Sequence, residues 1–178
     1  MNWIKSFFGS KLLNEDIIVV PNFLNEKNCH ELLDLLNENS FNKAHQYENG
    51  RCNKEMFVED PRIKSIILEK LVQFRLNGFK KVFDYHEPFE FYKYEIGEFI
   101  SPHEDSSMFF ESGKESNFTA LIYLNDNFEG GATFFKYLNL KITPETGKLL
   151  LFKHHLVHES QKIKFGTKYI YRSNWYIN

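Results

Sequence analysis

The sequence has little cysteine, no excess of charge of either sign and no long apolar segment. Its two cysteines, Cys29 and Cys52, are too far apart for a Cys-x-x-Cys motif and too few for a disulfide-stapled secreted domain. Lysine and arginine number 22 against 24 aspartates and glutamates, which excludes the broad positive field of a general nucleic-acid binder. No segment approaches the ~20 consecutive apolar residues of a membrane-spanning helix. We therefore predict a soluble, cytoplasmic protein without nucleic-acid or membrane partners, and its oligomeric state stays open.

Aromatic residues are abundant instead, at 17% of the chain with 19 phenylalanines. Such residues favour β-strands and a pocketed interior over a helical bundle. A chain of 178 residues can bury one sizeable core, so we expect a single domain over residues 1–178. Helix signals concentrate in residues 1–80 and strand signals in residues 81–178. The predicted fold class is α+β and β-rich, with N-terminal helices that buttress a β core.

The first part of the chain alternates helix signals with shorter elements. An apolar stripe from Trp3 to Leu12 has helical spacing, and we expect it to pack on the protein's own core. Ile17–Val20 has the pattern of a short buried strand that ends at Pro21. Residues 39–55 are polar and are predicted to form a loop.

Two helices have clear start signals. Asn25 is the predicted N-cap of the first, whose apolar face includes Cys29, Leu32, Leu33 and Leu36. Asp60 caps the second, with Pro61 in its first turn and a stop at residues 77–78. Both helices are therefore expected to bury one face.

Short strands dominate from residue 89 onward. Six or more such strands, separated by Gly, Pro and Asn turns, predict a sandwich or jelly roll with a mouth where a small ligand can bind. A closed, filled sandwich is the alternative. The predicted strands are residues 89–95, 118–124, 132–135, 138–142, 149–153 and 168–177.

A His-x-Asp triplet and a histidine cluster are candidate metal ligands. In extended backbone, His103 and Asp105 project to the same face and can bind one ion. A further ligand can come from the cluster His154, His155 and His158, because two imidazoles and one carboxylate hold Fe(II) with open positions. A helical zinc pair of His154 and His158 is disfavoured, since no glutamate follows His154.

A lysine and two tyrosines gain a role if a metal is present. Lys168 lies on a predicted strand, and a buried ammonium needs an anionic partner. The carboxylate of a bound co-substrate can be that partner, and Tyr94 and Tyr123 can donate hydrogen bonds to it. Ordinary sheet packing is the alternative for both tyrosines.

These residues resemble the Fe(II)- and 2-oxoglutarate-dependent dioxygenases, and among them the prolyl 4-hydroxylase-like group. The resemblance covers about half of the chain, from residue 89 to the C-terminus. Its blocks are Tyr94 to Gly97 followed by His103-Glu104-Asp105; residues 119–125 followed by Gly130-Gly131-Ala132-Thr133-Phe134-Phe135; and Pro144, Gly147, residues 149–152, His158, Gly166-Thr167-Lys168 and Trp175.

The resemblance implies a double-stranded β-helix (jelly roll) with Fe(II) held by His103, Asp105 and His158. It also implies that 2-oxoglutarate chelates the iron, that dioxygen is consumed, and that ascorbate can take part as an accessory. Lys168 would bind the far carboxylate of 2-oxoglutarate. The interval from Lys168 to Trp175 is one residue longer than is common in the family, so Arg172 is a second candidate anchor. The implied 2-oxoglutarate-binding residues are Lys168, Tyr94, Tyr123, Thr119 and Arg172.

The implied reaction is hydroxylation of an unactivated C–H bond, coupled to decarboxylation of 2-oxoglutarate to succinate. A prolyl residue in a protein is the leading substrate. A free amino acid or small molecule is the alternative substrate, and a non-catalytic jelly-roll metal-binding module is the alternative protein class.

Three further features have open roles. Residues 106–117 form either a substrate lid or a solvated loop. Arg51 is interpreted as a surface charge, with contact to an acidic or peptide substrate as the alternative. His30, His45 and His86 are expected to be surface or capping residues.

Overall fold

The computed structural model describes residues 11–14, 16–43, 50–76, 82–85 and 89–177. The helices are α1 (Glu26–Asn37) and α2 (Pro61–Leu76). The strands are β1 (Lys11–Asn14), β2 (Ile17–Val20), β3 (Asn42–Lys43), β4 (Lys54–Val58), β5 (Val82–Tyr85), β6 (Phe89–Tyr94), β7 (Ile100–His103), β8 (Phe118–Tyr123), β9 (Glu129–Gly130), β10 (Thr133–Phe135), β11 (Leu140–Ile142), β12 (Leu149–Lys153), β13 (His158–Ser160), β14 (Ile163–Phe165) and β15 (Lys168–Ile177).

Two antiparallel sheets form the body of the jelly roll. The larger sheet has the order β1-β2-β12-β8-β15-β6-β4-β3, and β5 pairs with the end of β15. The smaller sheet has the order β11-β10-β13-β7, and β14 pairs with β9 in a short ribbon. Apolar side chains of both sheets pack together between them, among them Leu121 and Leu150 of the large sheet and Phe135 and Ile142 of the small one.

Successive side chains of β15 point alternately to the two faces of the large sheet. Lys168, Ile170 and Arg172 line a cavity on the face that looks toward the small sheet. Tyr171 and Trp175 belong to the core on the opposite face. Trp175 is therefore separated from the cavity by the sheet itself, because its interval from Lys168 is odd.

The helices cover that opposite face. Asn25 caps α1 by accepting a 2.8 Å hydrogen bond from the amide of Asn28, as the sequence predicts. The buried face of α1 contains Cys29, Leu32 and Leu36, and these side chains join the same core as Trp175. The predicted α1 is confirmed. Neither of the helices in the described residues is long and apolar enough to cross a membrane.

Strands replace part of the predicted helical and loop structure before residue 80. Lys11–Asn14 pairs with β2, so Leu12 lies in a strand, and the rest of the predicted N-terminal stripe lies outside the described residues. The prediction of a loop over residues 39–55 is wrong at β3 and at the start of β4. The polar sequence of this segment does not predict a strand, and β4 forms because it pairs with β6. The helical support is thus smaller than expected.

Candidate metal centre and adjoining cavity

Three predicted ligands converge between the two sheets. His103 is the last residue of β7 and His158 the first of β13, and the two are direct cross-strand partners in the small sheet. Asp105 follows His103 by two residues, so its side chain returns to the same side. One ligand atom from each of the three residues lies within 4.8 Å of the others. The carboxylate oxygens of Asp105 are 3.8 Å from Nε2 of His103 and 3.7 Å from Nε2 of His158.

Backbone carbonyls orient both imidazoles. Nδ1 of His103 donates to the carbonyl of Ser101 over 2.8 Å, and Nδ1 of His158 donates to that of Leu156 over 2.9 Å. A carbonyl oxygen only accepts, so each ring carries its proton on Nδ1 and presents the Nε2 lone pair toward Asp105. This is the tautomer that a metal ion bound at Nε2 requires.

The protonation states of Asp105 and His158 also suit a cation. Burial alone would raise the pKa of Asp105, but Arg172, the two imidazoles and the Thr119 hydroxyl lower this pKa to about 2. Burial lowers the pKa of His158 to about 4 against the attraction of Asp105. At neutral pH the site therefore offers a carboxylate and a neutral imidazole without loss of a proton.

The donor set fits a divalent transition metal. Two imidazole nitrogens and one carboxylate on a single face leave the remaining coordination positions open, which is the ligand pattern of non-haem Fe(II) sites. Phe152 packs on His158 with ring centroids 4.4 Å apart and restrains the ring from behind. The geometry therefore fits bound Fe(II) with room for further ligands.

A cavity of about 580 Å³ opens beside this centre, and a buried lysine lies in its wall. Lys168 is 1% exposed, and its Nζ donates to the Gly131 carbonyl over 2.7 Å and to Ser160 Oγ over 2.8 Å. In the described part of the chain, no carboxylate lies within ion-pair distance of Nζ. Burial lowers the pKa of Lys168 to about 7. An anion in the cavity would therefore relieve an unbalanced charge.

Two aromatic rings frame this ammonium. Nζ of Lys168 lies 4.7 Å from the ring centre of Tyr94 and 5.7 Å from that of Tyr123. The Tyr123 hydroxyl is hydrogen bonded to Thr133 Oγ1 over 2.7 Å. Burial raises the pKa of both phenols, so both are neutral hydrogen-bonding groups. Tyr94 lines the cavity directly.

Arg172 and Thr119 have partners other than those expected. The guanidinium of Arg172 bonds to Asp105 Oδ1 over 3.1 Å and to Glu90 Oε2 over 3.2 Å. Its charge is thus balanced by two carboxylates, and the geometry favours Lys168 as the anchor for a further one. Thr119 does not line the cavity; its hydroxyl donates to Asp105 Oδ2 over 2.5 Å. This hydroxyl therefore contacts a candidate metal ligand, while the binding of a co-substrate by Thr119 stays a prediction.

The interpretation of Arg51 as a surface charge is also wrong. Its side chain is 21% exposed, lines the cavity and lies 4.8 Å from the ring centre of Tyr92. Asn53 and Glu55 hold it through hydrogen bonds of 2.8 and 2.7 Å. A β-bridge between Arg51 and Ile100 brings this segment to the cavity, and the polar sequence around Arg51 does not predict that pairing.

The segment of residues 106–117 is an ordered hairpin at the cavity rim. Met108 and Ser116 face each other through a backbone hydrogen bond of 2.8 Å, and Phe109 pairs with Glu115. Met108 lines the cavity, while Phe109 is 76% exposed. Most residues of the segment are exposed, so a substrate lid and a solvated loop both stay open as predictions for it.

Ser160 and Asn174 are polar cavity residues that sequence reasoning missed. Ser160 follows His158 by two residues on one strand, so strand parity could have placed it on the same face. Asn174 also lines the cavity, and its even interval from Lys168 carried the same signal. His30 is exposed, as expected, whereas His45 and His86 lie outside the described residues.

Comparisons with known proteins agree with this architecture. Residues 89–176 match the family model described as the 2OG-Fe(II) oxygenase superfamily. A protein of Acanthamoeba polyphaga mimivirus, provisionally named a prolyl 4-hydroxylase, is 30% identical in an alignment of 157 residues, and the alignment covers 81% of this chain. The chain spans 62% of the length of that relative.

Two solved structures share the fold. The viral collagen prolyl hydroxylase of Paramecium bursaria Chlorella virus-1, in complex with 2-oxoglutarate, superposes with a TM-score of 0.70 at 18% identity over 91% of this chain and 96% of its own. A Trichoplax adhaerens prolyl hydroxylase, bound to a peptide fragment of hypoxia inducible factor, gives a TM-score of 0.71 at 18% identity over 93% of this chain and 86% of its own.

Proposed function

Because the chain belongs to the 2OG-Fe(II) oxygenase superfamily, we propose that it hydroxylates a prolyl residue of a protein or peptide, coupled to the conversion of 2-oxoglutarate to succinate. His103, Asp105 and His158 would hold Fe(II), and Lys168 would anchor 2-oxoglutarate. Dioxygen is the oxidant in this proposal, and ascorbate is an accessory reductant.

The observation that carries the proposal is the pairing of a ligand triad with an unbalanced ammonium in one cavity. The Nε2 atoms of His103 and His158 face the Asp105 carboxylate, and Lys168 lies in the same cavity without a carboxylate partner among the described residues. A 2-oxo dicarboxylic acid has the matching chemistry. Its oxo group and near carboxylate suit the open metal positions, and its far carboxylate suits the ammonium.

The residues of the chain position the reactants and exclude water. Bound Fe(II) and 2-oxoglutarate together supply, with dioxygen, an oxidant strong enough for an unactivated C–H bond. Arg172 keeps Asp105 ionised and oriented, while Leu121 and Ile170 give the cavity an apolar wall. That wall protects the reacting centre from solvent and from side reactions.

The proposed prolyl substrate is supported by the relatives. The mimivirus relative carries that name, and the Trichoplax structure contains a peptide. In this chain, Arg51 and the hairpin residue Met108 line the cavity, which supports contact of both with a substrate chain in this proposal. A substrate bound there would lie beside the metal.

The test combines metal binding with turnover. We expect purified protein to bind Mn(II), as an inert substitute for Fe(II), and to release succinate from 2-oxoglutarate when Fe(II), ascorbate and proline-containing peptides are present. Mass spectrometry of the peptides should show a gain of one oxygen atom on proline. His103→Ala should abolish metal binding and succinate release, and His30→Ala, which changes an exposed histidine, should leave both unchanged.

The other outcomes separate the alternatives. Turnover with free amino acids but no peptide would replace the prolyl substrate with a small molecule. Metal and 2-oxoglutarate binding without any turnover would favour a non-catalytic module. Equally poor metal binding by the wild type and His103→Ala would overturn the proposal.

A further inference from the structure

We propose that His154 is a positioning residue that fixes both the metal-binding carboxylate of Asp105 and the hairpin that carries Met108. The inference rests on the metal site proposed above. It concerns a histidine that lies only four residues from His158 but points its ring nitrogens at other parts of the chain.

His154 uses all of its polar groups within the protein. Its amide donates to the Asn117 carbonyl over 3.4 Å, and its carbonyl accepts from the amide of Asp105 over 3.0 Å. Nδ1 lies 2.9 Å from Thr119 Oγ1, and Nε2 lies 3.0 Å from Ser116 Oγ. The residue is 7% exposed. It therefore joins three segments that meet beside the metal centre.

The direction of the hydrogen bonds toward Asp105 is fixed. A carboxylate only accepts, so the single proton of the Thr119 hydroxyl is directed to Asp105 Oδ2, 2.5 Å away. The Thr119 oxygen can then only accept from His154, and Nδ1 of the ring must carry a proton. This holds for the neutral and the charged ring alike. His154 thus orients the hydroxyl that orients the carboxylate.

The second ring nitrogen acts on the hairpin. Ser116 Oγ accepts from the amide of Met108 over 2.8 Å, and its own proton is available for Nε2 of His154. Because Met108 lines the cavity, the same imidazole sets the position of one cavity wall.

The contrast with the proposed ligands explains why His154 is not one of them. In His103 and His158, Nδ1 is hydrogen bonded to a backbone carbonyl, so Nε2 is available for a metal. In His154, both ring nitrogens are hydrogen bonded to hydroxyl groups. Residues that hydrogen-bond to the ligands of a metal generally raise the affinity of the site for that metal about 10- to 100-fold.

Two substitutions separate the two nitrogens. In His154→Asn, the amide nitrogen can take the place of Nδ1 and keep the bond to Thr119, while the contact with Ser116 is lost. In His154→Gln, the longer side chain reaches the place of Nε2 and can keep the contact with Ser116, while the donor to Thr119 is lost. His155→Gln, at the neighbouring exposed histidine, is the matched control.

The measurements are Mn(II) affinity by electron paramagnetic resonance titration and hydrogen exchange of the Met108 amide. We expect His154→Gln to weaken Mn(II) binding about 10- to 100-fold with unchanged Met108 exchange. We expect His154→Asn to bind Mn(II) within about threefold of the wild type but to exchange the Met108 amide faster. His155→Gln should match the wild type in both measurements.

A second pair covers the case in which a His154 variant does not fold. Thr119→Val removes the hydroxyl and should weaken Mn(II) binding, whereas Thr119→Ser keeps it and should rescue binding. If the wild type binds Mn(II) and either His154→Gln or Thr119→Val binds it with the same affinity, the proposed role of His154 is overturned while the metal site stands. Absence of Mn(II) binding in the wild type would overturn the metal site, and the inference with it.

Discussion

At the scale of single residues, Lys168 places a buried ammonium among neutral hydrogen-bond partners. Its ammonium is almost completely buried, and its hydrogen-bond partners, the Gly131 carbonyl and the Ser160 hydroxyl, are neutral. Burial lowers its pKa to about 7, so the free protein holds this charge only weakly at neutral pH. A dicarboxylic acid that brings an anion to Nζ would stabilise the ammonium and raise its pKa. Ligand affinity and proton uptake are therefore linked at this residue.

We predict that 2-oxoglutarate binding to the Mn(II)-loaded protein weakens as the pH rises above 7. Below pH 7 the ammonium is already charged, so affinity is nearly constant; above it, binding must first return a proton to Lys168. The dissociation constant should rise about tenfold per pH unit until the pKa of the bound state is reached. Calorimetry in buffers of different ionisation enthalpy measures both the affinity and the proton taken up.

Lys168→Ala is the control for this pH dependence. It should bind Mn(II) normally, bind 2-oxoglutarate at least about tenfold more weakly at pH 6.5, and lose the slope above pH 7. A slope that survives in the variant would assign the titration to another group. A selective loss of 2-oxoglutarate binding in Arg172→Ala would move the anchor to Arg172.

At the scale of elements, one tight turn joins the first helix to the large sheet. Gly147 has φ +76°, its amide donates to the Tyr123 carbonyl over 2.8 Å, and its carbonyl accepts from the amide of Leu24 over 3.0 Å. A Cβ atom at this position would lie 1.8 Å from the Leu24 carbonyl oxygen. Glycine is required here both for the backbone conformation and for the close approach of the chain that enters α1.

Gly147→Ala should therefore destabilise the fold far more than an alanine at a comparable turn. Gly113 has φ +77° and no atom within 4 Å of the added Cβ, so Gly113→Ala reports the conformational strain alone, about 1–2 kcal/mol. The clash at Gly147 should add about 1–3 kcal/mol because the obstructing atom belongs to the backbone. Urea unfolding of the two variants measures the difference, and equal losses would contradict the argument.

The elements that could be predicted are those whose signal is local. Ile17–Val20, Leu149–Lys153 and Lys168–Ile177 are strands with the predicted bounds, because each is a run of apolar or aromatic residues closed by turn residues. β7 and β13 were missed, although they carry the two facing histidines. They have only four and three residues, too few for a pattern, and they form because each pairs with the other.

The same division holds within the site. His103 and Asp105 are two residues apart in extended backbone, so their side chains project to the same face, and this can be predicted from the sequence alone. The partners of Thr119 and Arg172 depend on the register between β8 and β15, where Thr119 lies opposite Asn174 and Arg172 opposite Leu121. No hairpin turn joins β8 to β15, so no local turn sequence fixes the register between them.

At the scale of the whole molecule, the candidate metal centre lies where the two sheets meet. The small sheet carries His103 and His158, while Asp105 is held by Arg172 of the large sheet. Lys168, also on the large sheet, would hold the far end of a 2-oxoglutarate molecule whose near end reaches the metal. Metal and co-substrate would thus connect the sheets and bind only the folded state.

We therefore predict that Mn(II) and 2-oxoglutarate together raise the melting temperature more than either does alone. At ligand concentrations about 100-fold above the dissociation constant, binding contributes about 2.7 kcal/mol, which corresponds to roughly 5–10 °C for a chain of this size. Calorimetric melting of the wild type, His103→Ala and Lys168→Ala measures the effect. His103→Ala should show no shift with either ligand, since it lacks the metal to which 2-oxoglutarate binds. Lys168→Ala should keep the shift caused by Mn(II) and lose most of the increment from 2-oxoglutarate. An equal rise in His103→Ala and the wild type would mean that the ligands stabilise the protein from somewhere other than the junction of the sheets.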